Sequence, residues 1–443
     1  MQQDVRGIFC RVFFLFFFFS LLSGTVYPVL AEEKIDESAA VVSLIDENIK
    51  KNPPLTLKMV LERTRKAHPR LLSLEQGIAA ERAVVAQSRL FPNPELTLGY
   101  DSGDGGERSV MLSQLVELGG KRSLRQQLGA LDLRQREQEL ALAVSEELAA
   151  AAEQFCQLLA AQLRQQLAQE EVARLLQLTE ALESAIAAGR QAPLERLRLQ
   201  PQLAEARLQL EMAQQNRQEQ ARLLSLFWGG EQDSLPPLSG ELESLPVLPL
   251  WSELSARFAA SPRLSSVTVI SERATLTRQQ EQARRLPDLT VGLGLRDDAA
   301  NDEQAWLAEV ALPLPLFDRN REGVTAAQRR ESQSASLERQ QRLSLKADLR
   351  QLWQKMRQSR QEAELLRDTR LPAAQDLLAA LRYGFEVGKF SLRDLLAGES
   401  ELLLLRQRYL DQMSLTHCLQ IRIEGLLGTP EKLSYLLPPA VEA

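Results

Sequence analysis

Pro94-Glu95-Leu96-Thr97-Leu98-Gly99-Tyr100 returns 193 residues later as Pro287-Asp288-Leu289-Thr290-Val291-Gly292-Leu293. At the same spacing Pro69-Arg70-Leu71 meets Pro262-Arg263-Leu264. After six extra residues the spacing becomes 199 and holds to the end, matching Arg122 with Arg321, Gly189 with Gly388, Glu195 with Asp394, Arg207 with Arg406 and Gly229 with Gly428. A period of roughly 195 residues is a duplicated domain-sized unit rather than a short solenoid repeat, so two long units must lie side by side.

Each unit is written in the same order. In the first, residues 55–228, a short helix is expected from Thr56 to Lys66 and a second from Pro69 to Leu90. Pro92-Asn93-Pro94 ends the second by removing donors and restricting the preceding residue. Extended segments Glu95 to Asp101 and Arg108 to Leu118 flank Ser102-Gly103-Asp104-Gly105-Gly106, which reads as a hairpin turn rather than a phosphate cradle because it lies between strands. A helical pattern then runs from Arg122 to Ala187 without a proline, with Leu140, Val144, Leu148, Phe155, Leu159 and Leu163 at three-to-four spacing. At about 1.5 Å per residue it is close to 100 Å long. Gly189 interrupts it, Pro193 sits where a first-turn proline is tolerated, and a return helix reaches Phe227.

The second unit, residues 250–428, repeats the plan: a helical stretch Trp251 to Arg285, a hairpin Asp288 to Leu314, a long helix Arg321 to Glu386, Gly388, and a return helix to Leu427. Between the units, residues 229–249 carry Pro236, Pro237, Pro246 and Pro249 and read as a linker without regular structure that runs along the surface. In each unit the helix before the hairpin and the return helix, laid end to end, approach the length of the long helix. Each unit therefore forms a two-stranded helical rod with a hairpin at one end, and the fold class is mainly α with a small β part. Aromatics at 5% and charged residues at 25% are the mixture of coiled-coil-like packing.

The first residues address the compartment. Arg6 and Arg11 precede the apolar run Val12 to Leu22, and Val29-Leu30-Ala31 offers small residues for cleavage, so residues 1–31 read as a secretory signal and 32–54 as an extended lead-in. The run is shorter than the roughly 20 residues a spanning helix needs; a retained anchor helix is the other reading. Later apolar runs are all broken by Arg, Glu or Gln, so entry into a membrane would be as strands. Cys156 and Cys418 remain after the signal and do not correspond under the repeat; they read as packed helix residues, with a single bridge the alternative. The formal charge of -6 argues against nucleic acid, which wants a clustered positive surface.

The hairpins carry the functional argument. Leu289, Val291, Leu293 and Leu295 alternate with Thr290, Gly292 and Gly294, and the return strand sets Trp306, Ala308, Val310 and Leu312 against Glu309; Leu96, Leu98 and Tyr100 stand likewise in the first hairpin. Such alternation fits a half-buried hairpin of a soluble domain or a membrane β-barrel strand. Four strands on long rods find no second sheet, an open edge cannot exist in lipid, and about eight strands are the minimum for a barrel. The chain must then oligomerise, most simply with cyclic symmetry.

The turns between long and return helices share a Gly, a base, and an acid six residues after the Gly: Gly189, Arg190, Glu195 and Gly388, Lys389, Asp394. One reading is a helix C-cap with charges that complement the helix dipoles. The other is a tip that shows charge to a partner. No nucleophile triad or phosphate loop appears. His68 and His417 stand apart with no Cys-x-x-Cys or Met cluster, so no metal site is read from the residues.

Phe91-Pro92-Asn93-Pro94-Glu95-Leu96, Ser113-Gln114-Leu115-Val116-Glu117-Leu118-Gly119-Gly120-Lys121-Arg122 and Val387-Gly388-Lys389-Phe390-Ser391-Leu392-Arg393-Asp394-Leu395-Leu396 resemble the TolC-type outer-membrane efflux proteins, and the Leu-Gly-Gly-Lys-Arg form is closest to their CzcC-like branch, associated with heavy-metal export. The resemblance covers about Leu55 to Gly428. It implies a homotrimer whose hairpins close a twelve-stranded barrel in the outer membrane of a Gram-negative bacterium, above a helical tunnel in the periplasm. It implies docking to a periplasmic adaptor and an inner-membrane transporter of the resistance-nodulation-division type, with no cofactor and no catalysed reaction. It places the two helix turns at the periplasmic mouth, as adaptor contact and gate. Where relatives often carry a tyrosine before the Gly turn this chain has Phe385, which cannot form a hydroxyl hydrogen bond. A periplasmic coiled-coil adaptor or scaffold is the other class considered; it leaves the duplicated hairpins without purpose.

Overall fold

The computed structural model describes residues 54–101, 107–231, 235–298 and 303–433. The signal segment, the first hairpin's turn and residues 434–443 of the C-terminal tail expected over 429–443 lie outside the described residues.

A two-residue strand β1 (Leu55–Thr56) leads into α1 (Leu57–Ala67), whose N-cap Thr56 accepts from the Met59 amide at 3.4 Å. Helix α2 (Pro69–Ser88) restarts at a first-turn proline, which has no amide proton to leave unpaired. Strands β2 (Glu95–Asp101) and β3 (Glu107–Val116) form the first hairpin. The long helix α3 (Lys121–Ala187) has 67 residues, and α4 (Leu194–Ser225) returns beside it. The second unit has α5 (Trp251–Ala259), α6 (Pro262–Ala283), β5 (Leu289–Asp298), β6 (Glu303–Ala311), α7 (Arg321–Leu365), α8 (Leu371–Glu386) and α9 (Leu392–Leu427).

Three expectations need correction. The stretch Trp251 to Arg285 is two helices, split before Pro262 as the first unit is split before Pro69, because each proline clashes with a continuing helix while opening the next. The helix Arg321 to Glu386 is not uniform: α7 and α8 are joined by a π-helical turn, Leu366–Arg370, immediately before Pro372. The wider turn takes up the missing proline amide without breaking the rod.

The linker is the third. It pairs with the chain's beginning through a parallel bridge, Leu55↔Leu238 and Thr56↔Ser239, with strand β4 (Leu238–Ser239). It also buries Leu235, Leu238 and Leu242 in the main core instead of lying on the surface. Its prolines cannot donate, so helix side chains supply the bonds: Trp353 Nε1 donates to the Pro249 carbonyl at 2.9 Å, Arg360 to that of Pro246, and His417 Nε2 meets that of Leu242 at 3.0 Å.

That core gathers Leu57 and Val60 of α1, Leu148, Phe155 and Leu159 of α3, Leu224 of α4 and Ile421 of α9 around the linker leucines. The second unit has its own cluster, Leu254, Phe258, Leu349, Met356, Leu419 and Ile423, so α9 is shared by both. The rods are therefore pinned together at mid-length, with the sheet beyond one side and the helix turns beyond the other.

Candidate functional site: the four-stranded sheet and the paired helix turns

The hairpins join into one antiparallel sheet in the order β2-β3-β5-β6. Its register lines up Leu96, Leu112, Leu293 and Ala308 in one row and Leu98, Val110, Leu295 and Trp306 in the next, with Val291 against Val310 beyond them. Side chains in such rows share a face. In the single chain this face is bare: Leu98 is 71% exposed, Trp306 79% and Val310 70%. Tyr100 continues the β2 series and is also exposed. An apolar surface of this extent is not left to water. Among the described residues, the outer edges of β2 and β6 have no partner strand, and an unpaired edge in lipid costs several kcal/mol per group by the usual desolvation estimate.

The opposite face is more polar, with rows Glu95, Ser113, Gly292, Glu309 and Thr97, Met111, Gly294, Leu307, in which Met111 and Leu307 are the large apolar members. At the far end, Asp101, Glu107, Asp298 and Glu303 form a row of four carboxylates, with Arg296 Nη2 bonding Glu107 Oε1 at 2.5 Å.

The roots of the sheet are tied to the rods by the residues of the Leu-Gly-Gly-Lys-Arg stretch. Asp288 accepts from Lys121 Nζ at 2.8 Å and from the Leu118 amide at 3.0 Å, so the second hairpin holds the end of the first. Arg122 donates to the Arg89 carbonyl at 2.7 Å and stacks 3.8 Å over the Phe91 ring. Arg125 grips Glu117 at 2.9 Å. These bonds join residues distant in sequence, and no spacing rule announced them.

At the other end the two helix turns have the same backbone. In the first, Gly189 is left-handed at φ 71°, its amide donates to the Ile186 carbonyl and the Arg190 amide to that of Ala185. In the second, Gly388 is left-handed at φ 77°, its amide donates to Phe385 and that of Lys389 to Gly384. Both are Schellman turns, which require a residue free to adopt positive φ. The turns pack together: Leu182 of α3, Leu199 of α4 and Leu392 of α9 share one cluster, against which Phe385 rests, while the next cluster along the rod also touches Phe385. Tyr383 points out to solvent.

The acids of the turns are engaged. Asp394 closes a capping box: the Ser391 amide donates to it at 3.0 Å and the Ser391 hydroxyl at 2.6 Å, while Ser391 Oγ accepts from the Asp394 amide. The Ser391 hydroxyl, and then its amide, hold the Asp394 carboxyl below its usual range. Glu195 accepts from Arg198 at 2.9 Å. Arg190 and Lys389 are exposed.

One feature escaped sequence reasoning. Glu399 of α9, with 5% of its side chain exposed, is held between Arg174 of α3 and Arg382 of α8, and Arg174 also grips Glu171. A cavity of about 330 Å³ opens beside this triad. Burial alone would lower the Arg174 guanidinium, but Glu171 and Glu399 outweigh it and raise it. His68 and His417 lie in different surroundings, the first capping α2 beside Glu147 and the second buried against the linker. Among the described residues no group of three or more His, Cys, Asp or Glu side chains is placed so that it could hold one metal ion.

Residues 255–429 match the family described as outer membrane efflux protein. The chain is 30% identical to the cobalt-zinc-cadmium resistance protein CzcC of Cupriavidus metallidurans, over 85% of this chain and 90% of that one. It is 27% identical to the nickel and cobalt resistance protein CnrC of the same organism, over 60% and 65%. Among solved structures, CusC superposes with a TM-score of 0.73 at 16% identity, covering 85% of this chain and 92% of that one. The fold is thus that of the TolC-like channels, on the CzcC-like branch.

Proposed function

This chain belongs to the outer membrane efflux protein family, and from that premise we propose that it is the outer-membrane duct of a tripartite pump exporting heavy-metal cations. Three copies pool their four-stranded sheets into one closed barrel in the outer membrane of a Gram-negative bacterium, and the rods form a hollow stalk in the periplasm. A periplasmic adaptor and an inner-membrane transporter of the resistance-nodulation-division type complete the pump and supply its energy. The duct itself catalyses nothing.

The observation that carries this reading is the sheet: one bare apolar face and two open edges on four strands, too few to close alone. Pairing each β6 with the β2 of a neighbour removes every edge. The same face counts against a water-soluble adaptor or scaffold. The cargo is argued from the two metal-resistance relatives, and the carboxylate row Asp101, Glu107, Asp298, Glu303 agrees with it, because rings of carboxylates favour cations in a pore.

The test is assembly in a membrane. The purified protein should run as a heat-modifiable trimer in detergent and conduct in a planar bilayer. Leu293→Arg, at the middle of the apolar face, should cost about 2–4 kcal/mol per chain and abolish the trimer. A monomer that stays in solution without detergent and does not conduct would overturn the proposal.

A further inference from the structure

Helices α3 and α9 run antiparallel along the line where the two units meet, and they approach closely. Ser145 Oγ donates to the Gly425 carbonyl at 3.2 Å, and a side chain at Gly425 would come within 2.6 Å of the Ala149 methyl. Farther along, Arg422 Nε bonds Glu153 at 2.9 Å and Arg164 bonds Asp411 at 2.7 Å. In that register Cys156 and Cys418 stand opposite each other, two helical turns from the Ala149–Gly425 approach. Both are free thiols in the main core, Cys156 at 0% and Cys418 at 6% exposure. Cys156 Sγ lies 3.7 Å from the carbonyl of Ser414, which is one helical turn before Cys418 on α9. The neighbouring Cys418 thiol, and then burial, push the Cys156 thiol well above its ordinary value, while Cys156 brings the Cys418 thiol below its own.

We propose that Cys156 and Cys418 are a disulfide-forming pair, which in the exported chain bonds the long helix of the first unit to the return helix of the second. The proposal rests on the placement of the chain outside the cytoplasm, where disulfides form and persist. Two cysteines opposite each other on closely approaching helices, within one core cluster, meet the first requirement for a bridge, that the two backbones already lie near each other. The co-reactant is a protein disulfide oxidant of the periplasm. The Cys418 thiolate attacks one sulfur of the oxidant's disulfide, giving a mixed disulfide and releasing the other sulfur as a thiol. The Cys156 thiolate then attacks Cys418 Sγ, the Cys156–Cys418 bond forms, and the oxidant leaves as a dithiol that carries both electrons and both protons. Because Cys156 is fully buried in the finished fold, the exchange precedes closure of the α3–α9 contact.

The bond would fasten the two units at mid-length; beyond it α3 and α9 are joined by the ion pairs Arg164–Asp411, Arg406–Glu170 and Arg174–Glu399 and by the apolar cluster of Leu182 and Leu392. The experiment uses full-length protein from the outer-membrane fraction, whose recovery there scores location before any thiol is measured. It is denatured, treated with a maleimide without reductant and digested with trypsin. The expected product is peptide 137–164 joined to peptide 409–422, with neither cysteine labelled; reductant separates the two and makes both reactive. Reductant should also lower the thermal midpoint of the wild type and leave that of Cys156→Ala with Cys418→Ala unchanged. Full labelling of both cysteines in unreduced protein from that fraction would overturn the proposal, and so would an equal reductant effect on the double variant.

Discussion

The helix turn of the first unit, Ala188 to Glu195, and that of the second, Val387 to Asp394, have one backbone and two different fastenings. Both close with the same pair of amide bonds around a left-handed glycine. Beyond that they part. The second turn has a capping box where the first has Ala192 and Pro193 and no side-chain cap. It folds Phe390 over Gly384 where the first has Gln191 and Ala185. It is followed by the buried Glu399, where the first has the exposed Gln200. Duplication copied the path of the chain and left each copy to find its own anchorage. The backbone is set by glycine and helix length; the anchorage is set by neighbours, and neighbours differ between the units.

The buried triad should show the largest contrast. Glu399→Ala leaves the partly buried Arg174 with Glu171 as its remaining partner and should cost about 1–3 kcal/mol, read as a drop in the detergent-solubilised thermal midpoint, whereas Gln200→Ala should leave it unchanged. Replacing Arg174 and Glu399 together by Met and Leu should restore most of the loss, since a well-packed apolar pair avoids the desolvation that the charges incur. Equal effects at Glu399 and Gln200 would erase the asymmetry.

Gly384→Ala comes next. A methyl there would lie 2.0 Å from the Phe390 ring, so the ring must leave, at about 1–3 kcal/mol for overpacking. Ala185→Gly in the first turn should cost only about 0.5–1 kcal/mol from helix propensity. Denaturant midpoints of the two variants make the comparison direct.

Asp394→Ala should act more locally, raising amide exchange at Ser391 and Asp394 to the level of the first turn. The pH dependence has a defined sign. Because the folded carboxyl lies below its unfolded value of about 3.9, its contribution is complete above that value and is lost as pH falls through the lowered folded one. The protection of these amides relative to their intrinsic exchange should therefore be flat from neutral pH down to the ordinary carboxylate range, and fall only in stronger acid.

Lys389→Glu and Arg190→Glu should change stability least, within about 0.5 kcal/mol, since both cations are exposed. If these cations face an adaptor, reversal should weaken adaptor cross-linking or raise single-channel conductance. A larger effect at Arg190 than at Lys389 would place the partner on the less fastened turn.

The architecture was legible because it rests on period and alternation. The repeat of Pro94-Glu95-Leu96-Thr97 fixed two units, and the alternation from Leu289 to Leu295 marked the bare face of the sheet. What stayed hidden depends on pairs of residues far apart. Nothing in the local sequence sets Arg174 or Glu399 apart from the other charges of their helices, and only the packing of α3 on α9 buries them. The β1–β4 bridge is two residues long, too short to show a strand period, and its partners are 183 residues apart. From the sequence Asp394 is either a charge displayed to a partner or an acid that complements the next helix N-terminus, and the Ser391 three residues before it is the local signal of the capping box that the structure shows.

The linker between the units also sets a rule for handling this protein. Leu235, Leu238 and Leu242 sit inside, and the carbonyls of Leu242, Pro246 and Pro249 are each taken by a helix side chain. Residues 235–249 are seated along the helices, so affinity tags, protease sites and fluorescent insertions do not belong among them, and expressing the two halves as separate polypeptides cut there would leave a frayed end where each needs a tether.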